Sequence, residues 1–220
     1  MPNNTNTIAV IGLGYVGLPL AIAFSKKFNV IGFDINQNRV EELERGFDST
    51  LEASAKEVAN SGIKFTFNTK EIAKANIYII TVPTPVKEDN TPDFKHLVSA
   101  TTMVSSILDD GDYVIYESTV YPGTTEEICL PILEEISNYK CNTNFYLGYS
   151  PERINPGDRS RSIEDIIKVT SGSCEEAANF IDKLYSKIIK AGTHKTSSIK
   201  VAEAAKVIEN TQRDVNIALA

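Results

Sequence analysis

The residues with evident chemistry come early in the chain. Gly12-Leu13-Gly14-Tyr15-Val16-Gly17 follows the apolar run Ile8 to Ile11. It opens a stretch with apolar residues at helical spacing, Leu18, Ala21, Ile22 and Phe28. A strand that breaks into glycines and then a helix suits a dinucleotide pyrophosphate. Gly12 permits the tight turn, Gly14 leaves the backbone open to close approach, and Gly17 lets the helix lie against the strand. The helix N-terminus, beside Tyr15 and Val16, offers N–H groups and a positive dipole end to the phosphates. A second run, Val30 to Phe33, ends on Asp34. A carboxylate there accepts bonds from the adenosine ribose hydroxyls and repels a 2′-phosphate, which favours NAD over NADP. The alternative is a glycine turn with no ligand. Strand, turn, helix, strand and acid in the right order favour the ligand.

Four more groups could carry chemistry. Arg39, five residues beyond Asp34, could lay its guanidinium on the adenine face or against the ribose. A solvated helix arginine is the plain alternative. Thr84, between two prolines, and the pair Ser118-Thr119 each follow an apolar strand, and ligands gather at strand carboxyl ends in open α/β sheets. Glu152 and Arg153 stand in Ser150 to Gly157, a loop stiffened by two prolines after another strand. A site and a surface ion pair are both open readings there. Near the end of the chain Lys206, Asn210, Arg213 and Ile217 share one helix face. A lysine and an amide one turn apart could hold a water or an oxyanion, or form a solvated stripe.

Alternating strands and helices must position these residues. Strands are expected over 8–11, 30–33, 64–67, 77–82, 113–117, 145–149 and 166–169, with a weak one at 188–189. Helices are expected between them, including 18–28, 51–60, 125–137 and 175–186, with Asn36, Asp93 and Thr124 as caps. A last helix over 196–220 would span about 33 Å. Such alternation implies an α/β chain with a mostly parallel sheet covered on both faces.

Composition narrows the class. The chain has 220 residues, room for one large domain or a domain with an extension. Its net charge of −7 and lack of a long basic run argue against nucleic acid or an anionic membrane as partner. No apolar stretch approaches the ~20 residues of a membrane span. The polar start, Met1 to Asn6, does not read as a signal peptide. Cys129, Cys141 and Cys174 are widely spaced and form no metal pattern, as expected of reduced thiols in a cytoplasmic protein. His96 and His194 stand alone.

Several stretches together resemble one family. Ile11 to Pro19, Val82-Pro83-Thr84-Pro85, Glu117-Ser118-Thr119-Val120, Ser150 to Gly157 and Ala202 to Asn210 occur in the order found in UDP-glucose/GDP-mannose dehydrogenases. The Ser-Pro-Glu-Arg-Ile-Asn-Pro-Gly loop is similar to the branch acting on UDP-N-acetylhexosamines. The resemblance implies a Rossmann-like, doubly wound sheet with a long C-terminal helix. It implies oxidation of the C6 alcohol of a UDP-sugar to a carboxylate with two NAD. A cysteine would hold the intermediate as a thiohemiacetal and then a thioester. By position, Asp34 and Arg39 resemble adenosine-ribose contacts, and Thr84 and Thr119 cofactor contacts, with Ser118 beside them. Glu152 resembles the carboxylate that handles water, and Lys206 and Asn210 the pair that stabilises oxyanions. Glu152, Arg153, Ile154 and Asn155 resemble part of the sugar-nucleotide site.

Two departures qualify the resemblance. The family's nucleophile lies in a glycine-rich stretch, and none of the three cysteines has that setting. Pro156 stands where glucose enzymes carry a second acid. The expectation is therefore an NAD-binding domain over 1–195 and the start of a long dimerisation helix over 196–220. That would be the N-terminal part of a longer homodimeric enzyme, inactive alone. A stand-alone dinucleotide-binding module and a β-hydroxyacid dehydrogenase relative remain as alternatives.

Overall fold

The computed structural model describes residues 6–152 and 162–219, so Arg153, Ile154 and Asn155 of the expected sugar site lie outside the described residues. The opening folds as a strand, β1 (Thr7–Ile11), a helix, α1 (Gly17–Ser25), and a second strand, β2 (Asn29–Phe33). Next comes α2 (Gln37–Glu44), where the Asn36 side chain accepts the Asn38 N–H. Then follow α3 (Ala55–Asn60), β3 (Lys64–Thr66), α4 (Thr69–Ile72), β4 (Ile77–Ile80), α5 (Lys95–Ser105) and β5 (Asp112–Tyr116). A π-helical turn, Thr125–Cys129, leads into α6 (Leu130–Ser137). The chain continues through β6 (Phe145–Tyr149), β7 (Lys168–Gly172), α7 (Glu175–Ser186), β8 (Thr193–Lys195) and α8 (Ile199–Leu219).

The strands form one sheet in the order β3-β2-β1-β4-β5-β6-β7-β8. Pairing is parallel from β3 through β6, antiparallel between β6 and β7, and parallel again between β7 and β8. The chain runs outward from β1 to β3 and then returns to the other side of β1 at β4. The loops at the carboxyl ends of β1 and β4 part there, which opens a crevice. Side chains alternate across the sheet. Ile8 and Val10 join a core with Leu18 and Phe24 of α1 and Ile181 and Tyr185 of α7. Ala9 and Ile11 join the opposite core with Leu97 of α5, Leu133 of α6 and Ala202 of α8.

Local apolar content misplaces several boundaries. The strand expected over 166–169 starts at Lys168 and runs on to Gly172, leaving Ile167 exposed. Pairing of Tyr149 with Ser171 and Gly148 with Gly172 decides its place. Ile188 and Ile189 form no strand. Their N–H groups donate to the Tyr185 carbonyl, extending the last turn of α7, and both side chains are buried. The edge strand is Thr193–Lys195, which carries little apolar signal. The helix expected from residue 51 starts only at Ala55, where Ser54 and Glu57 form a capping box. Thr124 does not cap the next helix, because its hydroxyl donates to the Tyr121 carbonyl.

Candidate functional site

The glycine turn is built around two close approaches and one open face. Gly12 has φ 94°, and its N–H donates to the Phe33 carbonyl at 2.8 Å. A Cβ on Gly17 would lie 1.8 Å from the Gly12 oxygen and 2.5 Å from Thr81 Oγ1, so only glycine lets α1 begin there. A Cβ on Gly14 would meet no heavy atom within 4 Å. The protein's own packing does not require that glycine, whereas close approach of a pyrophosphate does. α1 has no side-chain cap and no acid in its first turn. Its free N–H groups and dipole are left for an anion. Half-exposed Tyr15 and partly buried Val16 border this opening. The residues fit a dinucleotide.

Asp34 and Arg39 grip the turn from opposite sides. Asp34 Oδ2 accepts the Leu13 N–H at 2.8 Å and Oδ1 accepts the Asn36 N–H at 2.9 Å. The carboxylate is partly exposed and keeps further lone pairs for ribose hydroxyls. Arg39 was expected against adenine or ribose. Its guanidinium instead donates to the Leu13 carbonyl at 2.9 Å and to Asp48 at 2.7 Å, and it pairs with Glu42. Two carboxylates capture the cation, and it is buried behind the turn. Burial alone would raise the Asp48 carboxyl, but bonds from Thr50, Ala53 and Arg39 hold it below the ordinary range.

The carboxyl ends of β4, β5 and β6 continue the same edge. Thr84 Oγ1 donates to the Thr119 carbonyl at 2.6 Å and ties two of these loops together. The Thr119 side chain is exposed. Ser118 is buried and donates to the Val82 carbonyl at 2.6 Å, so its hydroxyl braces the loop rather than facing the crevice.

Beyond Thr119 the structure gathers charges that the sequence did not join. Glu117, Glu152 and Lys168 are all at most 5% exposed. Lys168 Nζ lies 2.6 Å from Glu117 Oε2 and 3.4 Å from Glu152 Oε2, and the Tyr185 hydroxyl donates to Glu117. Burial pushes the Glu117 carboxyl up, with Lys168 opposing. Burial would lower Lys168, but the two carboxylates hold it above the ordinary lysine range. Lys206 reaches the field of this cluster from α8. Burial brings it below the ordinary range, against the pull of Glu152. A cleft of about 390 Å³ lies here, lined by Pro151, Val169, Lys206 and Glu209 among others. Asn210 is partly buried one turn beyond Lys206.

Glu117, Lys168 and Glu203 were missed as functional candidates. A lysine inside the apolar run Ile166 to Val169 and an acid ending a central strand were the available signals. Glu203 is fully buried, and its carboxylate accepts bonds from the Gly123 N–H, the Thr125 N–H and the Thr125 hydroxyl. It supplies the anion at the helix start where Thr124 was expected to cap. Cys129 is buried, and burial pushes its thiol up to about 11, a poor setting for a nucleophile. Among the described residues no group of acids, cysteines and histidines could hold a metal, and no helix is long and apolar enough to cross a membrane.

The doubly wound sheet, the open glycine turn and the acid after β2 define a Rossmann-type dinucleotide-binding domain. The chain belongs to the UDP-glucose/GDP-mannose dehydrogenase family, whose NAD binding domain matches residues 6–189. It is 60% identical over 213 residues to the UDP-N-acetyl-D-glucosamine 6-dehydrogenase of Pseudomonas aeruginosa, covering 96% of this chain and 50% of that one. The Salmonella typhi enzyme of the same name is 55% identical with the same coverage. A solved UDP-D-ManNAc dehydrogenase from Pyrococcus horikoshii matches with a TM-score of 0.88 at 36% identity, over 97% of this chain and 52% of that one. The chain therefore spans about half the length of the relatives it matches.

Proposed function

We propose that the chain is the NAD-binding part of a cytoplasmic enzyme that oxidises the C6 alcohol of a UDP-N-acetylhexosamine to the uronic acid. The carrying observation is the buried cluster of Glu117, Lys168 and Glu152, in whose field Lys206 lines a cleft on the sheet edge that also holds the open glycine turn. The names of the relatives favour this substrate class. NAD, when bound, supplies the acceptor for hydride. Asp34 holds its ribose, and the backbone around Gly14 and the start of α1 hold its pyrophosphate. Thr84 fixes the loop that presents Thr119 to the reacting sugar. Lys206 and Asn210 stabilise developing negative charge on the sugar oxygen. Glu152, buried in a charged cluster, takes the proton from the water that releases the acid. Arg153, Ile154 and Asn155 contact the sugar nucleotide. The nucleophilic cysteine is not among Cys129, Cys141 and Cys174. Residues 1–195 act as the cofactor domain and 196–220 as the start of a dimer-forming helix.

The test has two parts. Titration calorimetry of the 220-residue chain should give NAD binding, with NADP binding at least tenfold weaker. Turnover with NAD and UDP-N-acetylglucosamine should be absent in the chain and present in the product of the whole reading frame. Steady uronic acid formation by the chain alone would overturn the assignment of the nucleophile. Oxidation of small hydroxyacids, and of no nucleotide sugar, by the whole product would overturn the substrate class.

A further inference from the structure

Two residues beside the glycine turn give opposite instructions about the adenosine ribose. A carboxylate after β2 repels a 2′-phosphate, whereas an arginine nearby accommodates one. The chain carries both, Asp34 and Arg39. They meet on Leu13, where Asp34 Oδ2 accepts the N–H at 2.8 Å and Arg39 Nε donates to the carbonyl at 2.9 Å. The guanidinium therefore stands across a single residue from that carboxylate. Its other nitrogens are occupied. Nη2 lies 2.7 Å from Asp48 Oδ1, and Nη1 pairs with Glu42, three residues further along α2. The Ser49 and Thr50 hydroxyls lie 3.4 Å from Nη1 and Nη2. Asp48 is fixed in turn, because it accepts the N–H groups of Thr50, Glu52 and Ala53 at 2.9–3.0 Å. Glu42 is partly exposed and accepts the Ser49 N–H at 2.6 Å. Two carboxylates set against one guanidinium leave the group with net negative charge, and Asp34 adds to it.

Resting on the NAD-binding reading above, we propose that Glu42 is a specificity-determining residue: with Asp48 it cancels the Arg39 charge and holds the guanidinium to the turn, so that Arg39 does not serve a 2′-phosphate. Asp34 repels that phosphate directly, and Glu42 acts through the arginine. Without the Glu42 charge, Arg39 is matched by Asp48 alone. Nη1 is then released for an incoming phosphate, which a planar guanidinium fork suits. Asp48 organises its own loop as well as the arginine, so replacing it disturbs both. Glu42 is the separable member of the pair. Glutamine there keeps an acceptor for the Ser49 N–H and removes only the charge.

Titration calorimetry of the 220-residue chain with NAD and with NADP, at low salt, tests this. Glu42→Gln should raise NADP affinity by about fivefold or more, with a smaller change for NAD, as removing one charge near a phosphate does. Glu41→Gln is the control. It lies on the same helix, but its carboxylate is bonded to Gln37 and Arg45, so it changes net charge equally without touching Arg39. An equal rise in both variants would make the effect one of net charge and overturn the proposal. An unchanged NADP-to-NAD ratio in Glu42→Gln would overturn it too. Damage to the turn alone lowers both affinities and cannot produce the gain. Adding Arg39→Gln to Glu42→Gln should abolish the gain, and a gain that persists overturns the proposal. Should the double variant fail to fold, the Arg39 Nε–H signal of Glu42→Gln carries the test by NMR. NADP should move that signal away from its NAD-bound position, and one position with both nucleotides overturns the proposal. A wild-type chain that binds neither nucleotide would remove the NAD-binding reading and this inference with it. NAD binding with an unmoved ratio removes this inference alone.

Discussion

Leu13 carries the glycine turn because both sides of its peptide are held, the N–H by Asp34 and the carbonyl by Arg39. Asp34, proposed to touch the ribose, thus also fixes the loop from one side, and Arg39 fixes it from the other. The glycines divide in the same way. Gly17→Ala forces a methyl into the Gly12 carbonyl and should lower stability by roughly 2–4 kcal/mol, as overpacking and strain do. Gly14→Ala places its methyl in open space, so its melting temperature should stay close to wild type. Its NAD affinity should nevertheless fall at least tenfold. Thermal melts and calorimetry on the two variants separate a packing glycine from a ligand glycine. Equal stability losses would show that Gly14 is structural.

A second residue sets a pH dependence. Asp112 is buried at the start of β5, and burial lifts its carboxyl from 3.8 to about 6 against a bond from the Asp109 N–H. The folded chain holds this proton more tightly than the unfolded one. The stabilisation is complete below about pH 4 and is lost as pH rises through about 6. Asp112→Asn keeps the acceptor and removes the titration. It should gain roughly 1–3 kcal/mol over wild type at pH 7 and much less at pH 4. Urea unfolding at the two values reads this, and a pH-independent difference would contradict it.

At the scale of elements, α8 is locked to the sheet edge by its first turns. Ile199, Ala202 and Glu203 are buried, and Glu203 holds the start of the π-helical turn Thr125–Cys129. Lys200 adds an exposed contact to Glu127 at 2.8 Å. Glu203→Ala would strand two buried N–H groups and should cost roughly 2–4 kcal/mol in urea unfolding, with Glu203→Gln intermediate. An effect below about 0.5 kcal/mol, typical of a surface site, would refute this role. The same elements mark what could be read from the sequence. β1, α1, β2 and Asp34 were legible because each signal is local: an apolar run, three glycines, an acid. The span of α7, Glu175–Ser186, was legible from its periodicity. The Glu117–Lys168–Glu152 cluster was not. It depends on β7 reversing direction beside β6, and nothing within ten residues of Lys168 specifies that. Ile188 and Ile189 misled because a short apolar pair looks the same in a strand and at the end of a buried helix.

At the scale of the whole molecule, α8 carries a series of exposed apolar side chains on one element. Beyond Glu203 the helix exposes Val207, Ile208, Val215, Ile217 and Leu219 at 41, 66, 50, 69 and 81%. Ile208, Val215 and Leu219 lie on one side of the helix with Val207 flanking them, and apolar residues repeated in this way form a face that water penalises; such faces mark contacts. The flanking side chains carry both signs, with Glu209, Arg213 and Asp214 in the same stretch. A second copy laid alongside would bury the apolar residues and leave those charges at its rim, where they fix register more than affinity. The homodimer proposed for the enzyme thus has a physical basis in this chain alone. Sedimentation of the 220-residue chain should show a dimer whose population grows with concentration. Ile208→Asp combined with Val215→Asp should return it to monomer without changing NAD affinity, because neither residue approaches the glycine turn. A strict monomer at high concentration would mean that this face is covered by something other than a second copy. Loss of NAD binding together with the dimer would tie α8 to the cofactor crevice more closely than its contacts with β6 and β7 predict.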